Sequence, residues 1–276
     1  MAETISGPGC LYVESRISKP GILDEKTYLK WYDEDHIVDF LHISGIGSAR
    51  VLKDVNPDAD KPYLVLYPLD DLGIMKSDDM KNIKARSDLL PGTGNMYDLA
   101  DFDSRFDSLI QVYDPTGKGK GELSYRRRRL KSRRTWRLRY NIRGHTRSVI
   151  SVQIQLKEGG DVEDFDRWYR EEHLGLVSKA TGYLRTTRFK LVAARTNSQA
   201  RASQGLPTTD EPETERCTWL GIHEFAVENP DLQEIRKLTA SPWTDRIYEG
   251  RKLGIFRIYK VLAEFGEKDW FHGLKV

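Results

Sequence analysis

Two tyrosine–histidine pairs are the residues of this chain best suited to chemistry. Tyr32 and His36 stand four apart, and so do Tyr169 and His173. On a helix that spacing puts both members of a pair on one face, within reach of each other. A histidine titrating near neutrality beside a phenol can give or take a proton, which makes each pair a candidate general acid–base unit. A third histidine lies in the run Leu220-Gly221-Ile222-His223-Glu224-Phe225. Strand alternation puts His223 on the face shared with Gly221 and Phe225, so if that face looks toward the helices, His223 meets His173 across a cavity. Tyr67 takes the matching place in the first half of the chain. Each histidine also has a plainer reading, as a helix-end cap or a satisfied core side chain. Trp31, Trp168, Trp219 and Trp243 read as core or pocket wall because of their large apolar area.

The elements that must hold these residues repeat. Tyr28-Leu29-Lys30-Trp31-Tyr32-Asp33-Glu34-Asp35-His36 lines up with Phe165-Asp166-Arg167-Trp168-Tyr169-Arg170-Glu171-Glu172-His173 at a constant offset of 137, which also carries Gly45 onto Gly182 and Val13 onto Ile150. A repeat found this way governs the fold assignment. Each half reads as strand, helix, strand, strand, helix, strand. In the first half the strands are Leu11 to Ile17, Ser48 to Lys53, Tyr63 to Leu69 and Phe106 to Tyr113. Asp24 caps a helix running to about Leu41, and a second helix is predicted between Asp78 and Leu89. In the second half the strands are Val149 to Leu156, Tyr183 to Val192, Thr218 to Phe225 and Ile255 to Leu262. Here Asp161 caps the first helix and Asn229-Pro230 precedes the second. Residues Arg195 to Arg216 are polar enough to read as a mobile loop. The order βαββαβ suits a four-stranded antiparallel sheet with both helices on one face. The bare face must be covered, and a second copy of the sheet is the readiest partner.

The two Trp-Tyr-x-x-(Glu/Asp)-His helices, each followed by a glycine-led strand, resemble the EthD-like branch of the dimeric α/β-barrel (ferredoxin-like) superfamily. A proline often follows two places after the histidine in that motif, whereas Val38 and Gly175 stand there in this chain. The resemblance implies an α+β fold of two ferredoxin-like βαββαβ halves packed sheet to sheet as an intramolecular dimeric α/β barrel. The division is residues 1–117, a linker at 118–147, and residues 148–276. It also implies, for two-half proteins of the fungal type, small-molecule tailoring or degradation of polyketide-type aromatics.

Composition narrows the function classes. There is no apolar run long enough to span a bilayer, no leader-like start, and only two cysteines, Cys10 and Cys217, so a reducing cytoplasmic setting is expected. Residues 118 to 147 hold three lysines and ten arginines against Glu122 alone, an excess of twelve that accounts for more than the net +2 and leaves the rest of the chain at about −10. An acidic pair of domains is not expected to bind nucleic acid. The run Arg126-Arg127-Arg128-Arg129-Leu130-Lys131-Ser132-Arg133-Arg134 reads as a solvated linker ahead of a polyanion site. No metal spacing, no G-x-S-x-G elbow and no strand-flanked phosphate loop occurs, so neither metal nor cofactor is expected. The expected partner is a small molecule, with further self-association left open. The function expected is cofactor-independent, histidine-mediated proton transfer on an aromatic or polyketide-type substrate. Decarboxylation is favoured, with His173 protonating the ring carbon, Tyr169 orienting it, and His223 or His36 as second proton carrier. A cyclase or cofactor-free monooxygenase is the alternative. A non-catalytic hydrophobic-ligand-binding module, its pocket walled by Trp168, Trp31, Tyr67 and Trp219, is the rival from another class.

Overall fold

The computed structural model describes residues 5–115, 117, 145–208 and 215–266, so the basic run lies outside the described residues. The first half runs through β1 (Gly9–Ile17), α1 (Glu25–Trp31), α2 (Ile37–Leu41), β2 (Ser48–Asp54), β3 (Tyr63–Leu69), α3 (Asp78–Lys81) and β4 (Ala100–Tyr113). The second runs through β5 (Ser148–Leu156), α4 (Val162–Trp168), α5 (Leu174–Val177), β6 (Tyr183–Arg195), α6 (Asn197–Ser203), β7 (Trp219–Phe225), α7 (Leu232–Thr239), α8 (Pro242–Glu249) and β8 (Arg251–Gly266).

All eight strands pair antiparallel and close into one barrel in the order β1-β3-β2-β8-β5-β7-β6-β4. Each half supplies four neighbours in the same internal order, β4-β1-β3-β2 and β8-β5-β7-β6. The α+β barrel expected from the sequence is therefore present, and its two sheets are also hydrogen-bonded at their edges. β2 pairs with β8 and β4 with β6, which removes every sheet edge. Strand alternation then sorts side chains into a lumen and an outer layer. Cys10, Tyr12, Leu64, Leu66, Phe189, Leu220, Ile222 and Tyr259 form one cluster drawn from both halves. Leu11, Val51, Val65 and Tyr67 pack under the first half's helices, and Ile150, Ile154 and Phe225 under the second's.

The lumen also buries charge. Arg50 Nη1 donates to Glu224 Oε2 at 2.7 Å and its Nε to Glu264 at 2.7 Å, Arg185 binds the same Glu224, and Thr146 donates to it at 2.6 Å. Arg105 forks onto Asp107 at 2.7 and 2.8 Å and donates to Gln153 at 2.6 Å. Buried charges persist only when paired and hydrogen-bonded in this way.

Three expectations are corrected. The helix expected over Asp78 to Leu89 is a single turn, Asp78–Lys81. Beyond it Ser87 Oγ accepts from Leu89 N and Asn95 Oδ1 from Tyr97 N, and such side-chain bonds compete with helix. The chain instead folds back so that Met96 N meets Ala85 O at 2.9 Å. The polar stretch after Arg195 contains α6, closed by a capping box between Thr196 and Gln199. The long first helix of each half is interrupted by a π-helical turn, Tyr32–His36 and Tyr169–His173. Gly45 and Gly182, matched by the repeat, both have positive φ (93° and 79°), the conformation that lets each chain leave its helix for the next strand.

Candidate active site

The second half's site starts with Asp161, whose carboxylate accepts from Asp164 N at 2.8 Å and fixes the start of α4. Phe165 and Trp168 anchor α4 on the sheet, and the Trp168 indole donates to Thr244 Oγ1 of α8 at 3.1 Å. The π turn that follows sets the geometry. With the wider turn, residues five apart stack, so the His173 ring lies over Trp168 at 4.2 Å and 29°, while Tyr169 meets it edge-on at 5.2 Å and 85°. The same arrangement holds in the first half, with His36 over Trp31 at 4.5 Å and 26°. The four-residue spacing that suggested a tyrosine–histidine pair is thus read out as a tryptophan–histidine stack with the tyrosine at its edge.

His223 does face the helices. Its ring centre lies 6.0 Å from that of His173, and both line a cavity of about 460 Å³ with Tyr169 and Trp168. Gly221, two residues before it on β7, leaves the space they share. A β-carbon there would stand 3.3 Å from the Tyr169 hydroxyl and 3.5 Å from His223 Nε2. On the far side of the ring, His223 Nδ1 and Thr186 Oγ1 are 2.8 Å apart, Thr186 and the Tyr183 hydroxyl are 2.8 Å apart, and Tyr183 donates to the Tyr113 carbonyl at 3.4 Å. The carbonyl can only accept, so donation running toward it puts the His223 proton on Nδ1 and leaves the Nε2 lone pair facing the cavity.

Arg188 completes the group. Its guanidinium lies 4.0 Å from the Tyr169 ring centre and donates to Asp166 at 2.9 Å and Gln111 at 2.8 Å. One Arg188 terminal nitrogen and His173 Nδ1 are buried without a hydrogen-bond partner among the described residues. Burial, and then the Arg188 charge, lowers His223 to about 4. Burial, His223 and Arg188 hold His173 well below its ordinary value. Burial raises Tyr169 despite the opposing arginine. At neutral pH the site therefore holds two neutral imidazoles and a protonated phenol beside a fixed positive charge. Such imidazoles are unprotonated at neutral pH, so each can receive a proton, as a weaker base than an ordinary histidine, and neither carries an imidazolium proton to give.

The remaining predicted residues lie elsewhere. His36 lines a separate cavity of about 560 Å³ in the first half, so it is not placed to exchange protons with His173. Burial lowers His36 to about 3. Tyr67, at the place of His223, stacks on Phe40 at 4.5 Å, and the Tyr32 and Tyr67 hydroxyls are buried without partners among the described residues. Val65 occupies the place of Gly221. Trp219 packs on Phe165 at 5.6 Å, away from the cavity wall, and Trp243 sits between Arg167 and Arg246. Sequence reasoning missed Thr186 and Arg188. They stand in the continuous polar run Arg185-Thr186-Thr187-Arg188, where alternation singles out neither, and only the pairing of β6 with β7 sets them opposite His223 and Gly221. Among the described residues no three His, Cys, Asp or Glu side chains converge as metal ligands would, and no helix is long and apolar enough to cross a membrane.

Comparison with known proteins supports the fold. No family profile matches the chain. A proposed monooxygenase from Fusobacterium nucleatum superposes with a TM-score of 0.51 at 12% identity, covering 97% of each chain. An anthrone oxidase-like protein superposes with a TM-score of 0.52 at 12% identity, covering 97% of this chain and 96% of that one. The chain thus has the dimeric α/β-barrel fold. A shorter sequence match, 41% identical over 66 residues, joins it to core atranone cluster protein 1 of Stachybotrys chlorohalonatus, spanning 24% of this chain and 27% of that protein.

Proposed function

We propose that the second half is a cofactor-independent enzyme that removes a proton from an activated carbon of a polycyclic phenol or polyketide-type aromatic. The observation that carries this reading is the neutral His223, its Nε2 turned over Gly221 beside the Tyr169 hydroxyl in a largely apolar cavity. His223 takes the carbon-bound proton, and Arg188, held against the Tyr169 ring behind the cavity wall, offsets across that ring the charge that develops on the substrate oxygen. The carbanion then couples with dioxygen. Return of the proton gives a hydroperoxide, and loss of water from it leaves a ketone where the methylene stood. Decarboxylation, favoured from sequence, asks His173 to act as an acid, and burial beside Arg188 opposes this. The names of the structural neighbours, an anthrone oxidase-like protein and a proposed monooxygenase, agree with oxygenation. The short match to a fungal cluster protein agrees with a secondary-metabolite substrate.

We also read the halves as copies of one EthD-like unit. The common strand order, the paired π turns and the matched positive-φ glycines support it. To test the function, the purified protein is incubated with an anthrone in air and the products are weighed. A gain of one oxygen with loss of two hydrogens is expected, and replacing His223 by Gln should slow it by roughly 10² to 10⁴-fold. Loss of carbon dioxide from an aromatic acid, or full turnover by H223Q, would overturn the reading.

A further inference from the structure

The first half's cavity differs from the catalytic one in what its walls offer. At about 560 Å³ it is somewhat larger, and its floor is Leu11, Phe40, Phe102 and Phe106 with Met75, Met80 and Met96. Unbranched methionine side chains adapt to ligands of varied shape. Around this apolar floor stand Lys81, Lys84 and Arg195, and no acidic side chain lines the cavity among the described residues. Lys81 is tied to the surface acid Asp78 at 2.8 Å, and Lys84 lies 3.9 Å from Asp39. Arg195 makes no ion pair among the described residues and acts on the partly buried Tyr97 phenol, which burial raises and the guanidinium draws back. His36 is neutral here, with Tyr67 where the second half has His223, so the proton-accepting pair is missing.

The roof comes from the other half of the chain. α6 contributes Ala200, Ser203 and Gln204 to the wall. It is fixed by Asn197, whose side chain donates to Asp101 Oδ1 at 2.9 Å and accepts from Phe102 N at 3.2 Å, while its own N–H donates to Asp103 at 2.9 Å. Arg201 donates to the Tyr97 carbonyl. A polar segment of the second half is thus folded and anchored as a lid over the first half's cavity.

We infer that this cavity is a second, non-catalytic binding site for an apolar acid, a molecule with an aromatic or long aliphatic body and one anionic group. The body occupies the methionine and phenylalanine floor, and the anion meets Arg195 with Lys84 at the mouth. Calorimetric titration of the full chain with anthracene-9-carboxylate, and separately with the neutral anthracene-9-carboxamide, tests this directly. The acid should bind more tightly than the amide. R195Q should weaken the acid about tenfold, the scale of one hydrogen bond to a charged group, and bring it level with the amide. A200W, which fills the cavity under the lid, should abolish binding, with A193F as a second filling variant should A200W not fold. I150W, in the second half's cavity, should leave this binding in place. Equal affinity for acid and amide, or binding of the acid to R195Q and A193F as tightly as to the wild type, would overturn the proposal. Because only binding is read, the result stands whether or not the chain turns over any anthrone.

Discussion

Gly221 separates the chemistry of the second half from its stability. A β-carbon at this position falls 3.3 Å from the Tyr169 hydroxyl and 3.5 Å from His223 Nε2, so alanine fits after a shift of a few tenths of an ångström. The backbone there is ordinary strand without positive φ, so alanine adds no strain and reduces the freedom of the unfolded chain, an effect worth about 0.4–1 kcal/mol in favour of folding. The same methyl group stands where a reacting carbon must lie, between the proton acceptor and the phenol. Misplacement by about 1 Å can cost roughly 100-fold in rate, so a few tenths in G221A should cost about threefold to tenfold. Valine, the residue the first half carries as Val65, fills the space and should bring turnover to background. The assay pairs thermal unfolding with initial rates on the anthrone. A melting temperature equal to or above the wild type in G221A, with the rate falling from Gly to Ala to Val, is expected. Undiminished turnover in G221V would show that the reacting carbon does not lie between Tyr169 and His223, and the assignment of the site would fail.

Other outcomes follow from the same geometry. The rate should hold through neutrality and fall on the acid side with a midpoint near pH 4, where His223 takes up a proton, instead of near 6.5; a pH–rate profile checks it. Stability should also fall with acid. The unfolded chain protonates these imidazoles from about pH 6.5, whereas the folded chain protonates His223 only near 4 and His36 near 3, so between those values the unfolded state holds more protons and stability is lost as pH drops. T186V removes the acceptor at His223 Nδ1 and frees the other tautomer, and should lower stability by about 1–3 kcal/mol and reduce the rate, with T186S restoring both. E224Q should cost about 3–5 kcal/mol by leaving Arg50 and Arg185 buried without their shared carboxylate, seen as a melting temperature lower by on the order of 10 °C.

Much of this was legible because the repeat is carried by large or special residues. An aromatic pair, a histidine and a positive-φ glycine at one offset name the helix, its exit and the strand that follows, and strand alternation alone turned His223 toward His173. Other features were hidden for definite reasons. A π turn contains no residue that an α-helix would refuse, so the tryptophan–histidine stack could not be told from the tyrosine–histidine pair. Asp78 to Leu89 has apolar residues at helical spacing, but the Ser87 side chain bonds the backbone of Leu89, and Asn95 just beyond does the same to Tyr97, so the chain turns back instead of extending the helix. The charges of Arg50, Arg105, Asp107, Arg185 and Glu224 look in sequence like the wet face of ordinary alternating strands. They are dry because the second sheet belongs to the same chain and closes over them.

That closure ties the lumen to the site. Glu224 and His223 are neighbours on β7 and point to opposite faces of the sheet. Burial alone would raise Glu224, but Arg185 and Arg50 overcome it and hold the carboxylate ionised, well below its usual range. Arg50 comes from β2 of the first half and Arg185 from β6 of the second, so a single buried carboxylate ties β7 to both sheets. Thr186, which holds the outer face of His223, follows Arg185 on β6 just as Glu224 follows His223 on β7. One pair of residues is clamped inside the barrel and the adjoining pair is presented outside it, so the imidazole is oriented from below by ion pairs that lie on the opposite face of the sheet. The first half contributes Arg50 to this clamp although its own cavity has Tyr67 in place of a second histidine. On the proposed function its contribution to the chemistry is rigidity at β7.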